Sequence, residues 1–230
     1  MKHLCITLSN HDISEVGYSK LVTSSKKVKN DFEIEKFEAI LPEQVEQICK
    51  DYKIKWTYPW EGESIDFASG LTLRSYPTAR RSSRIACFLS HYKIWRQVDK
   101  SNEPALVFEH DAEFVKKLNY DFILDSKYDI IGINNPLGAT RRSKEYYSAI
   151  QRGAKIQPVP RIDNFNIPQG LAGNSAYIIK PRGAKALIDA TTTHGMWPND
   201  ALMCYQLINN LGVTRDFYTK VQGLKSTTTR

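Results

Sequence analysis

The chain has 230 residues, 41% of them hydrophobic and 25% charged, with a formal net charge of +7. That length can bury a sizeable core in one domain, and the composition excludes a disordered chain. No apolar run approaches the ~20 residues that a membrane span requires, and the N-terminus MKHLCITLSN lacks a signal-peptide core, so a cytoplasmic protein is the expectation.

His3–Leu8 reads as an opening strand, followed by the turn-rich Ser9–Asp12. Asp12–Lys27 carries Ile13, Val16, Leu21 and Val22 as an imperfect helical stripe. Glu33–Ala39 alternates loosely as a second strand. Pro42 then opens a helix over Glu43–Tyr52, with Val45, Ile48 and Tyr52 on one face. Residues 55–83 mix aromatics, Gly, Pro and Arg without a stable period, which predicts a long functional loop. Ile85–Asp99 is the next helix, with Phe88, Leu89, Tyr92, Ile94 and Trp95 apolar.

Ala105–Phe114, ALVFEHDAEF, follows as a buried strand that stops at Glu109, His110 and Asp111. If the strand continues, Glu109 and Asp111 point to one side and His110 to the other. Such a carboxylate pair suits a divalent cation carrying a phosphorylated ligand. The alternative is an ordinary strand exit with solvated acids. Tyr128–Asn134 and Ala176–Ile179 read as further strands, with residues 135–168 a second irregular, basic stretch between them. Pro181–Ala190 and Pro198–Asn209 read as the last helices. Strands alternating with helices predict a single α/β domain over residues 1–230, with a mostly parallel sheet and flanking helices.

The positive charge is concentrated. Residues 72–100 carry seven basic side chains against one acidic, residues 138–161 six against one, and residues 212–230 four against one. Such segments either form a positive face that attracts a polyanion or are solvated loops. Cys5, Cys49, Cys87 and Cys204 are scattered, with no C-x-x-C pair, as expected of reduced thiols.

Four blocks carry a family likeness. RIACFLSHYKIW (Arg84–Trp95) and LVFEHDAEF (Leu106–Phe114) resemble a G-C-x-x-S-H-x-x-x-W helix followed by a strand ending in L-E-D-D-A. GNSAYIIKPRGA (Gly173–Ala184) and WPNDALM (Trp197–Met203) resemble G-x-x-A-Y-x-I-S-x-x-G-A and P-x-D-x-x-M blocks. Together they resemble glycosyltransferase family 25, over roughly residues 1–205. The departures are His110, where the family has an acid, and Arg84 ahead of Ile85–Cys87, where the family has small residues before the helix.

The resemblance implies a GT-A type, Rossmann-like fold and an inverting transferase that uses a nucleotide-sugar, with a UDP-sugar first among donors. It implies Mn²⁺ or Mg²⁺ held by Asp111 with Glu109 in support, and Asp200 as the general base. Asp200 is equally placed to cap a helix. Thr7, Ser9, Arg81, Arg84, Ser90, His91 and His110 are candidate donor contacts. Gly170, Gly173, Asn174 and His194 are candidates for a loop beside donor or acceptor, although a loop His is commonly just exposed. Trp95, one turn beyond His91, reads as core. An anionic acceptor follows from the charge, with hydroxymethylated DNA of phage type slightly ahead of a lipopolysaccharide-type saccharide. A non-catalytic binding module on the same fold is the competing class, and a metal-dependent nuclease lacks the further acids it would need.

Overall fold

The computed structural model describes residues 1–138 and 142–224; Arg141, Lys225 and Arg230, counted in the basic segments above, lie outside them. A seven-stranded sheet forms the centre, built from β1 (Lys2–Thr7), β2 (Glu35–Glu38), β5 (Ala105–Glu109), β7 (Ile130–Gly132), β8 (Ile156–Pro158), β9 (Ala176–Ile179) and β10 (Leu211–Thr214). The strand order is β2-β1-β5-β9-β7-β10-β8. β2, β1, β5, β7 and β10 share one direction, while β9 and β8 run against their neighbours. The mostly parallel sheet is therefore present, with a reversed strand at its centre.

The hydrophobic pattern of β5 explains how the sheet is covered. Ala105 and Val107 join Leu89, Trp95 and Tyr177 in one apolar cluster. Leu106 and Phe108 join Leu21, Phe114 and Ile178 in the other. A strand that is apolar at every position needs a layer on both faces. α1 (Asp12–Lys27) supplies Leu21 on one side; α3 (Arg81–Ser101) and α6 (Pro181–His194) lie on the other. α2 (Val45–Tyr52) follows a single 3-10 turn at Pro42–Gln44. Glu109 continues the face of Val107, so the fold turns its side chain toward α3.

Four expectations are corrected. The loop at 55–83 contains a hairpin, β3 (Glu63–Asp66) and β4 (Leu71–Arg74). Its alternation spans only Leu71 and Leu73, and its turn closes on Asp66, which accepts from the backbone nitrogens of Ser69 and Gly70. The basic stretch at 135–168 contains α5 (Ser143–Gln151), which buries Tyr146 and Ile150 one turn apart, as well as β8.

The last helix shrinks to α7 (Asn199–Leu202), because Cys204 forms a bridge with Gly170 and Tyr205 donates to the Gln169 carbonyl. A Cβ on Gly170 would lie 1.9 Å from the Met203 carbonyl oxygen, so only glycine allows that crossing. Finally, β5 ends at Glu109. His110 and Asp111 form a tight turn into β6 (Ala112–Phe114), so the same-side argument for residues i and i+2 on one strand does not apply.

The remaining elements are α4 (Tyr120–Leu124) and β11 (Thr219–Val221), the latter paired antiparallel with β6. Among the described residues no helix is long and apolar enough to cross a membrane. All four cysteines are free.

Candidate active site

The turn after β5 is held from two sides. α1 presents Gly17, where a Cβ would sit 2.4 Å from the His110 carbonyl oxygen. Gln222, just after β11, donates from its side chain toward the carbonyls of Gly17, His110 and Ala112, and from its backbone to that of Asp111. The turn projects Asp111 and His110 into a cavity of about 460 Å³, whose walls include Ser9, Arg80, Cys87, His91 and Glu109.

Glu109 is oriented by a chain of buried hydrogen bonds. Trp95 Nε1 donates to the Tyr177 hydroxyl at 3.0 Å, Tyr177 meets His91 Nδ1 at 2.9 Å, and His91 Nε2 meets Glu109 Oε1 at 3.2 Å. An indole is a donor only. Tyr177 therefore spends a lone pair on Trp95 and has its own proton for His91 Nδ1, which leaves His91 to donate from Nε2 to the carboxylate. Burial pushes the Glu109 pKa up, but it ends below the ordinary value, chiefly through the hydrogen bond from His91.

Removing the Tyr177 hydroxyl strands two buried polar groups, so Tyr177→Phe should lower stability by about 1–3 kcal/mol. It should also weaken any ligand that depends on Glu109. Urea unfolding and ligand titration of the variant test this; unchanged stability and affinity would show that the chain of bonds orients nothing.

Asp111 is in the opposite state. Burial and the neighbouring Glu109 charge push its pKa up to about 7, opposed by a hydrogen bond with Ser175. Its Oδ1 is buried and has no hydrogen-bond partner among the described residues. Cys87, one turn before His91 on α3, completes a group whose ligand atoms with His91 and Glu109 lie within 4.8 Å of one another.

Asp200 sits in the first turn of α7, half-buried. It does not cap the helix; Pro198 holds that position. Its Oδ1 accepts from the Ala201 backbone nitrogen at 3.1 Å, and its Oδ2 accepts from the Tyr76 hydroxyl at 3.4 Å. Burial raises the Asp200 pKa, the Glu109 charge adds to it, and the Arg84 cation opposes both.

The other candidates divide. Ser9 and His110 line the cavity, and burial lowers the His110 pKa. Ser90 also lines it, but its hydroxyl bridges the Ala86 carbonyl and the Ile40 backbone nitrogen, which makes it a fastener between α3 and the end of β2. Arg84 donates to the Pro77 carbonyl at 2.9 Å and lies over the Tyr76 ring, on the Asp200 side of the site. Asn174 is buried after Gly173, which takes φ +81°, and neither end of its amide is paired among the described residues.

Three candidates lie elsewhere. Thr7 is buried in β1, its carbonyl accepting from the Ala39 nitrogen, and does not form the cavity wall. Arg81 is exposed, paired with Glu61 at 3.5 Å and stacked over Trp60, whereas Arg80 reaches the cavity. His194 bonds Asp66 at 2.8 Å beside a separate cavity of about 900 Å³, where it ties the β3–β4 hairpin to the end of α6. Gly170 serves the Met203 crossing. The sequence reading missed Tyr76, Tyr177 and Asn199, whose roles depend on partners distant along the chain.

Comparison with known proteins places these blocks. Procollagen galactosyltransferases 1-B and 1-A of Xenopus laevis are each 29% identical over 128 residues, 52% of this chain. The match spans only 19% of those relatives' length. Among solved structures, galactosyltransferase LgtC, in complex with donor and acceptor sugar analogs, aligns over 93% of this chain and 72% of its own, at 12% identity and a TM-score of 0.43. Mouse xyloside xylosyltransferase 1 in its apo form aligns over 90% of this chain and 80% of its own, at 8% identity and a TM-score of 0.42. The family model described as glycosyltransferase family 25 (LPS biosynthesis protein) matches residues 19–203, which include α3, the β5 turn, β9 and α7. On that match, the chain belongs to glycosyltransferase family 25.

Proposed function

We propose that this chain is an inverting glycosyltransferase that moves a sugar from a nucleotide-sugar, a UDP-sugar in the first instance, to a hydroxyl of a saccharide acceptor. The observation that carries the reading is the division of labour among three carboxyl groups. Glu109 is held charged, while Asp111 is poised for neutralisation by a cation and Asp200 has a raised pKa beside Arg84. Perturbed acids, two of them lining one cavity, favour catalysis over a binding module.

The donor set fits a hard divalent ion. Asp111 offers a buried, unpartnered oxygen and Glu109 a second carboxylate, which suits Mn²⁺ or Mg²⁺. Bound there, such an ion supplies charge stabilisation for a departing diphosphate. The chain's own residues do the rest. Arg80 and Ser9 contact the donor in the cavity, and His91 fixes the Glu109 carboxylate. Asp200 takes the proton from the acceptor hydroxyl as it attacks, and Tyr76 holds the Asp200 carboxylate in place.

The acceptor preference moves from DNA to saccharide. Arg74, Arg80, Arg81 and Arg142 pair with Glu63, Glu43, Glu61, and Glu145 and Asp163, respectively. Basic side chains already matched to acids offer a weaker track for phosphates.

The test is incubation with Mn²⁺ and a panel of UDP-sugars, followed by mass spectrometry of oligosaccharide and hydroxymethylated duplex DNA acceptors at two salt concentrations. UDP release with a sugar-sized mass gain on an oligosaccharide is the expected result. Neither release nor binding of any UDP-sugar overturns the enzyme reading for these donors. Transfer to DNA with a steep loss in salt overturns the acceptor assignment.

A further inference from the structure

We propose that Cys87, His91 and Glu109 form a binding site for a thiophilic divalent ion, Zn²⁺ foremost, which competes with the Asp111 site for Glu109. The site itself stands without the glycosyltransferase reading; only its opposition to donor binding rests on that reading. All three side chains line the 460 Å³ cavity, and their ligand atoms lie within 4.8 Å of one another. Cys87 and Glu109 are partly exposed there, so an ion can reach them from solvent.

The backbone sets up the arrangement. Cys87 and His91 are four residues apart on α3, which places both on one face of the helix, the spacing by which two ligands on a helix share an ion. Glu109 meets them from the end of β5. His91 Nε2 and Glu109 Oε1 are 3.2 Å apart. Two ligands of a tetrahedral zinc ion, bound at about 2.0–2.1 Å, stand about 3.3 Å apart. Three protein ligands leave a fourth position, and the cavity opens it to water.

The donor set separates this site from the one at Asp111. Thiolate and imidazole select Zn²⁺, whereas carboxylates suit Mn²⁺ and Mg²⁺. The Cys87 thiol is free, and burial with the Glu109 charge pushes its pKa up. The negative charge that keeps the proton on sulfur also draws a cation toward it, and a bound cation reverses that preference. Coordination releases the thiol proton to solvent. His91 turns a lone pair on Nε2 to the ion, and its proton moves to Nδ1. Nδ1 then donates to the Tyr177 hydroxyl, which accepts from Trp95 and His91 together at the expense of the bond its own proton makes. Glu109 so held is withdrawn from the ion beside Asp111.

The experiment measures Zn²⁺ affinity by competition with a chromophoric chelator, and Co²⁺ spectra, for wild type, Cys87→Ser, Cys87→Ala and Asp111→Asn, with thermal melts to verify folding. Wild type should bind one Zn²⁺ and show a sulfur-to-cobalt charge-transfer band. Both Cys87 variants should lose the band and bind Zn²⁺ at least about 10–100-fold more weakly. Asp111→Asn should keep the band and the Zn²⁺ affinity while losing Mn²⁺. In wild type, Zn²⁺ at about ten times its dissociation constant should weaken Mn²⁺-dependent UDP binding about 10-fold, and the Cys87 variants should escape this. No band in wild type, a band kept in both Cys87 variants, or Zn²⁺ binding lost in Asp111→Asn would overturn the site. Zn²⁺ binding that leaves Mn²⁺-dependent UDP binding untouched would overturn the competition for Glu109. A protein that binds Zn²⁺ as expected but no UDP-sugar would sink the enzyme reading and leave the site standing.

Discussion

Asp111→Asn should make the metal-free protein more stable at pH 8 while abolishing metal-dependent donor binding. The sign follows from the folded-state pKa of about 7, above the ordinary 3.8. The fold prefers the protonated acid. That contribution is complete below about pH 4 and is lost as pH rises toward 7. A displacement of that size is worth on the order of 4 kcal/mol once the carboxyl has ionised.

In EDTA, wild type should therefore lose stability between roughly pH 4 and 7, and Asp111→Asn should be flatter across the same range. Adding Mn²⁺ at pH 8 should restabilise wild type and leave the variant unmoved. Urea denaturation at several pH values, with and without Mn²⁺, reads all of this. A variant less stable than wild type at pH 8 without metal would mean that Asp111 is a structural acid.

Asp200→Asn should retain donor affinity and lose about 10²–10⁴-fold in turnover, the range typical of removing a general base. The amide oxygen can still accept from the Ala201 nitrogen, and the amide nitrogen can donate to the Tyr76 hydroxyl oxygen in place of the bond now accepted from it, so the geometry survives. Only the capacity to take a proton goes. In wild type, turnover should rise with pH through a value above the usual carboxylate range, because burial and Glu109 disfavour the ionised form that acts as base. The variant should lose that limb. Near-normal turnover in Asp200→Asn would remove the residue from the mechanism.

The sequence disclosed the parts of the fold that announce themselves locally. Asp12–Lys27 is a helix with the bounds its stripe implied, and Ala176–Ile179 is a strand as its unbroken apolar run implied. The hairpin within 55–83 did not show, because only Leu71 and Leu73 turn inward and two positions make no period. Pro198–Asn209 looked helical because nothing near it in sequence announced the Gly170 crossing that stops α7. The site behaved similarly. Glu109 and Asp111 stood out as acids at a strand end, but the charge difference between them arises from His91 on one and burial on the other. Tyr177 looked like an ordinary aromatic in a strand until Trp95 and His91 were placed on either side of its hydroxyl.

The Gln222 clasp on the His110–Asp111 turn bears on how the protein can be cut. Leu224 lies at the cavity wall, and the family match ends at residue 203. A fragment trimmed to the recognisable family region would keep every motif acid yet lose the strand and the amide that hold their turn. Domain boundaries for expression, and any fusion joined at the C-terminal side, belong beyond Leu224.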